Sequence, residues 1–160
     1  MPTTIKQLLI EQHAACYNEE NWFKPIKDVI ADLSDEEFRW KENEEEHSIR
    51  QQIIHLNFYN EKYYMRFIGT PLPAQHISPD KDPTFDDNDF TNEELTANLD
   101  KIMGGLLEAM KNAPEEKFDS RPFEDPDKTW LWWETLHNMN IHNAYHLGQM
   151  MLMKKKMRMK

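Results

Sequence analysis

At several points along this chain a serine or threonine stands three residues ahead of a glutamate or glutamine at the head of an apolar run, among them Ser34 with Glu37, Ser48 with Gln51, and Thr91 with Glu94. In such a box the hydroxyl accepts a backbone N–H of the first helical turn, and the longer side chain reaches back to the cap residue's own N–H, so each marks a helix start. The stretches that follow are rich in Leu, Ile, Met, Glu and Lys, show little β-branched alternation, and share only four glycines in 160 residues. Strands and tight hairpin turns have little to be built from, and the sequence predicts an all-α fold.

The first helix is expected to begin at Thr3 or Thr4 and to carry Ile5, Leu8, Leu9, Ala15 and Cys16 on an apolar stripe. Trp22, Phe23, Ile26, Val29 and Ile30 continue that stripe past a break before Pro25. Ser34 opens a short extra turn bearing Phe38. Ser48 starts the second helix, with Gly69 as its C-terminal stop. Thr91 caps the third, whose Leu95, Leu99, Ile102, Met103, Leu106 and Met110 face inward, and Pro114 ends it. Gly104 and Gly105 weaken its middle and point to a close approach of another helix. Thr129 is the expected cap of a last helix running from Trp130 into a lysine-rich end. Two irregular stretches join these helices, 69–90 with four prolines and 114–128; a loop as long as the first either covers a site or crosses over between bundle helices. Met150, Met151, Met153, Met157 and Met159 read as gap-filling packing or as a surface for a helical partner. At 160 residues, with no break in composition, the chain is expected to form one domain, 1–160.

The net charge is −10, yet five positive charges (Lys154, Lys155, Lys156, Arg158 and Lys160) crowd the last seven residues, leaving about −15 on the remainder. Such a surface repels a polyanion, so nucleic acid is excluded as the expected partner. The terminal cations complement the dipole of a helix C-terminus, or else form a membrane or nucleic-acid tail; the dipole reading is preferred. With Cys16 as the single cysteine there is no intrachain disulfide and no thiolate zinc cluster, which suits a reducing compartment. No signal-like or membrane-spanning apolar run is found, and a cytoplasmic location without membrane contact is expected.

The chemistry concentrates near the C-terminus, in His142-Asn143-Ala144-Tyr145-His146-Leu147-Gly148-Gln149. Four residues advance a helix by roughly 400°, so both imidazoles leave one face about 6 Å apart and can close on one ion. Thr135, Asn138, Met139 and Gln149 lie within roughly 60° of His142, whereas His137 lies about 140° away and does not share the ion. A third ligand must come from another helix, and His55, between Gln51 and Tyr59 on one face of the second helix, is the leading candidate. Three neutral imidazoles suit one divalent ion, Zn²⁺ or Ni²⁺, with a position left open. A rival di-iron reading starts from Glu134-x-x-His137, but the second Glu-x-x-His, Glu44 to His47, precedes the Ser48 cap and lacks matching inward glutamates. Cys16 reads as core, and His13 and His76 have no recognisable partners.

One mid-helix histidine followed late by His-x-x-x-His-Leu-Gly-Gln resembles the DinB-like superfamily of four-helix-bundle metalloproteins, over the full length of the chain and in helix order. The resemblance implies a four-helix bundle with long connecting loops and a metal on His55, His142 and His146. It also implies a thiol-dependent transferase or isomerase, with a low-molecular-weight thiol and an electrophilic small molecule as partners, and it allows a homodimer through bundle helices. Asn57, Tyr59, Asn138, Tyr145 and Gln149 are candidates to line the pocket, and no general base is forced by sequence. The alternative is a non-catalytic metal-binding or structural bundle. An open metal position in a pocket favours the enzyme, while a closed fourth ligand or the lack of a cavity favours the alternative.

Overall fold

The boxes at Ser34, Ser48 and Thr91 close. Ser34, Ser48 and Thr91 each accept the N–H three residues on and receive the Glu or Gln side chain in return. The computed structural model describes residues 3–72, 83–86, 88–125 and 127–159. Among these are six α-helices, α1 Ile5–Tyr17, α2 Ile26–Ile30, α3 Asp35–Arg39, α4 Ile49–Phe67, α5 Asn92–Asn112 and α6 Trp132–Arg158, and two 3₁₀ turns, Pro83–Phe85 and Glu115–Lys117. No strand occurs among the described residues, and the fold is all-α.

The four long helices form the bundle. α1 packs against α5 and α6, and α4 packs against the same two, while α2 leans on α6 and α3 on α4. Their buried apolar residues, from Leu9 to Met153, make one continuous cluster, and burial of this kind is what holds helices that would be marginal alone. The six inward residues expected on α5 are all buried. Gly104 and Gly105 mark close approaches, as predicted: a Cβ on Gly104 would stand 3.0 Å from the Tyr17 hydroxyl, and one on Gly105 would stand 2.6 Å from the Tyr64 ring. α4 stops at Gly69, whose φ is +73°. Gly69 N–H donates to Arg66 O and Thr70 N–H to Met65 O, the paired bonds of a Schellman motif.

Two expectations need correction. α1 ends at Tyr17, and its buried face is Leu9, Ile10, His13, Ala14, Cys16 and Tyr17, leaving Ile5 and Leu8 about half exposed and Trp22 96% exposed. The stripe is rotated because a fully buried His13 takes part in it, its Nε2 2.9 Å from Met103 O and its Nδ1 3.2 Å from Asn140 Oδ1, two acceptors for a ring N–H. α6 begins at Trp132 rather than Trp130, and Thr129 does not cap it. Its first-turn donors find acceptors elsewhere: Trp132 and Trp133 N–H donate to Ser120 O and Phe118 O, both at 2.9 Å, and Glu134 accepts from Leu131 N–H at 2.8 Å.

The basic end of α6 folds back on acid. Lys154 pairs with Asp32, Lys156 with Glu42, and Arg158 with both Asp32 and Glu37 at 2.9 Å. Lys154, Lys156 and Arg158 thus also pair with the α2–α3 segment and its continuation, while Lys155, Lys156 and Arg158 lie in the last turn of α6, as the dipole reading expects. No helix among the described residues is long and apolar enough to cross a membrane.

Candidate metal centre

The Ser48 box sets the start of α4 and so the direction in which His55 leaves it, while His142 and His146 leave α6 one turn apart. α4 and α6 are locked in register beside these residues by a pair of buried amides, Asn60 and Asn143, which exchange hydrogen bonds of 2.9 and 3.0 Å. The result brings three Nε2 atoms together: His142 Nε2 lies 2.9 Å from that of His55 and 3.1 Å from that of His146. Among the described residues this is the one group of His, Cys, Asp and Glu side chains placed to hold a metal ion. His55 and His146 are buried and His142 is partly open.

The outer edges of the rings decide what the inner edges offer. Gln52 sends its amide nitrogen to Met153 Sδ at 3.1 Å and His47 O at 3.4 Å, so its oxygen is left to accept from His146 Nδ1–H at 3.4 Å. Thr84 Oγ1 stands 2.7 Å from His55 Nδ1, where its oxygen can accept from a protonated Nδ1. With Nδ1 protonated, as the Gln52 oxygen requires of His146 and the Thr84 hydroxyl allows for His55, both Nε2 atoms present lone pairs to the site. His142 has one proton at most to give while neutral, so at least one pair of lone pairs faces without a proton between, and a cation resolves that repulsion. Three bonds of about 2.1 Å at tetrahedral angles put ligand nitrogens roughly 3.4 Å apart, which the observed triad reaches by opening a few tenths of an ångström. The residues fit the ion.

Burial favours the neutral form of His142 and His146. It is the main cause that pushes His146 down to about 4, with His142 and His47 adding and Gln149 opposing, and it also lowers His142. Away from the site, fully buried His13 is lowered for the same reason. Between pH about 6.5 and about 4 the unfolded chain takes up a proton at His146 that the folded chain refuses, so stability rises with pH across that window. The metal-free protein should therefore lose thermal stability steadily as pH falls from 6.5 to 4, by differential scanning fluorimetry. The metal-bound protein should hold its midpoint further into that range.

A pocket of about 520 Å³ opens beside the triad, lined by His55 and His142 together with Tyr59, Tyr63, Phe123, Lys128, Trp130, Thr135, Asn138 and Met139. Of the candidate lining residues, Tyr59 and Asn138 are in this wall. Tyr145 lies outside it, 61% exposed, with its ring 5.1 Å from that of His146. Gln149 hydrogen-bonds His146 and lines a separate pocket with His47 and Gln52. Asn57 points the other way, donating to Leu95 O on α5 at 3.0 Å. Neither His137 nor Glu134 joins the site, and His47 stacks on Phe85 at 3.9 Å. Cys16 is core, its thiol pushed up to about 11 by burial and so unreactive at neutral pH. His76 lies outside the described residues.

The long 69–90 stretch supplies what sequence reasoning missed. Its turn at Pro83–Phe85 packs on α4 through Gln51, whose side-chain nitrogen donates to Phe85 O at 3.0 Å, and it delivers Thr84 to His55 Nδ1 and the Phe85 ring flat against His55 at 4.1 Å. No spacing links Thr84 to His55. Gln52 was within reach of reading, since it lies about 60° round the helix from His55. Outer partners of this kind are worth about 10- to 100-fold in metal affinity, so Thr84→Val should weaken metal binding by that factor in a competition titration with a chromophoric chelator.

A family model of the DinB superfamily matches residues 24–150, which include all three histidines. Comparison with curated proteins and with solved structures found no match. Helical architecture, converging histidines and the family match over most of the chain agree, and the protein belongs to the DinB superfamily.

Proposed function

We propose that the protein binds one divalent metal ion, Zn²⁺ or Ni²⁺, on His55, His142 and His146 and is an enzyme that activates a small thiol toward an electrophilic small molecule in the adjoining pocket. The observation that carries this reading is the convergence of three Nε2 atoms at the wall of a pocket large enough for a small organic molecule. A closed structural site would want a fourth protein ligand, and none of His, Cys, Asp or Glu joins the three among the described residues. A divalent ion bound there supplies Lewis acidity, which brings the pKa of a coordinated thiol or water toward neutrality.

The chain's own residues supply the rest. Tyr59 meets His55 and His142 edge-on at 4.9 and 5.6 Å, and with Trp130 and Met139 it walls the site against bulk water. Burial holds the Tyr63 phenol above its usual range, so it is protonated at neutral pH and available to donate to a developing negative charge in the pocket. Thr135 gives its hydroxyl proton to Leu131 O at 3.0 Å, leaving its oxygen as an acceptor, and Asn138 adds an amide at the exposed rim.

The test is a screen of small thiols with electrophilic acceptors on metal-loaded, metal-stripped and His146→Ala protein, with circular dichroism confirming that each is helical. Turnover should appear in the loaded protein, vanish on stripping and return on reloading, and stay absent in His146→Ala. Equal turnover in all three samples would contradict the proposal.

A further inference from the structure

Beyond the histidines, the face of α4 that carries His55 becomes basic. At 100° per residue Tyr59, Lys62 and Arg66 all stay within about 40° of His55, and Arg66, eleven residues on, stands about 16 Å further along the axis. Lys128, from the stretch ahead of α6, comes in beside it: the Arg66 guanidinium lies 4.5 Å and the Lys128 ammonium 5.0 Å from the centre of the Phe123 ring. Phe123 and Lys128 line the 520 Å³ pocket at the triad and also a second one, of about 420 Å³, that includes Arg66, Gly69 and Thr70. The two pockets therefore adjoin across these two side chains.

Arg66 and Lys128 on one pocket, with Lys62 close enough to feel both, run against the trend of a chain with net charge −10. Carboxylates stand near as well: Asp125 pairs loosely with Lys128 at 3.9 Å, both side chains about half exposed, and Glu124 lines the second pocket. The imbalance registers at Lys62, whose ammonium is held below its usual range by burial first and then by Arg66 and Lys128. An anion placed among the three relieves that repulsion.

We propose that the joined pockets take an amphiphilic carboxylate, its reactive end at the histidines, its apolar body along Tyr59, Tyr63, Met139 and Trp130, and its carboxylate held by Arg66 and Lys128. This rests on the functional reading above and adds the substrate's shape and charge. The planar fork of Arg66 matches a carboxylate, and the flanking Phe123 ring keeps both cations in place.

The probe is ω-mercaptooctanoate, compared with ω-mercaptooctanol, titrated into Co²⁺-loaded protein and followed by the visible spectrum of the ion. The acid should bind at least about tenfold tighter than the alcohol, as a charge-assisted pair implies. The advantage should disappear in Arg66→Gln/Lys128→Gln and persist in Lys101→Gln/Lys111→Gln, which removes the same charge from α5. Equal binding of acid and alcohol, or an advantage that survives the first pair or is lost in the second, would overturn this inference and leave the metal site standing. No spectral change with either probe would overturn both this inference and the thiol reading beneath it.

Discussion

Purified without added metal, the protein should carry about one Zn²⁺ or Ni²⁺ per chain, and His142→Ala or His146→Ala should leave it nearly metal-free by elemental mass spectrometry. The expected loss is large because three ligands share the binding free energy. Apparent values for structural zinc sites divide to roughly 3 kcal/mol per ligand, so each deletion costs on the order of a hundredfold or more in affinity. His55→Ala should match them, since His55 Nε2 sits 2.9 Å from that of His142 on the opposite helix. His137→Ala, a partly buried histidine outside the cluster, should change nothing. Equal effects of His55→Ala and His137→Ala would count against the triad, and two irons per chain would revive a di-iron centre.

Arg50→Met should be the most damaging substitution remote from the metal. Arg50 is 1% exposed, and its guanidinium donates to Asn92 Oδ1 at 2.9 Å, Asn88 O at 2.8 Å and Phe90 O at 2.7 Å, tying the segment before α5 to the first turn of α4. Methionine keeps most of the aliphatic stem but strands the buried Asn92 acceptor and two part-buried carbonyls, at a cost of about 3 kcal/mol. In a chain of this size that lowers the unfolding midpoint by about 6–12 °C. The same segment continues back to Thr84 and Phe85, so metal affinity should fall in the folded variant as well. A midpoint within 2 °C of wild type, by calorimetry at one pH, would show that the acceptors find other partners.

What was legible from the sequence was local. The caps at Ser34, Ser48 and Thr91 are written within four residues each, and the stripe of α5 repeats at a period that no distant contact has to supply. His142 and His146 share a face by arithmetic alone. Where the outcome depended on residues far apart in the chain, the reading failed or was silent. Thr129 looked like a cap, but the N–H groups of Trp132 and Trp133 are taken by carbonyls at Phe118 and Ser120. His13 looked unpartnered because its partners are 90 and 127 residues away. The walls of the pocket come from α4, α6 and the stretch at 123–130, and only the assembled bundle brings Phe123, Lys128 and Trp130 to the histidines. Thr84 is the clearest case: nothing in its local pattern marks it, yet it orients the ring whose place in the triad was hardest to read.

The central claim is geometric, and a crystal structure of the metal-loaded protein with anomalous data at the absorption edge of the bound ion tests it most directly. One anomalous peak per chain should lie about 2.1 Å from the Nε2 atoms of His55, His142 and His146, with Thr84 Oγ1 and Gln52 Oε1 on the outer nitrogens and the next coordination position facing Tyr59 and Trp130. A peak elsewhere in the chain, a fourth protein ligand closing the site, or coordination through Nδ1 would contradict it.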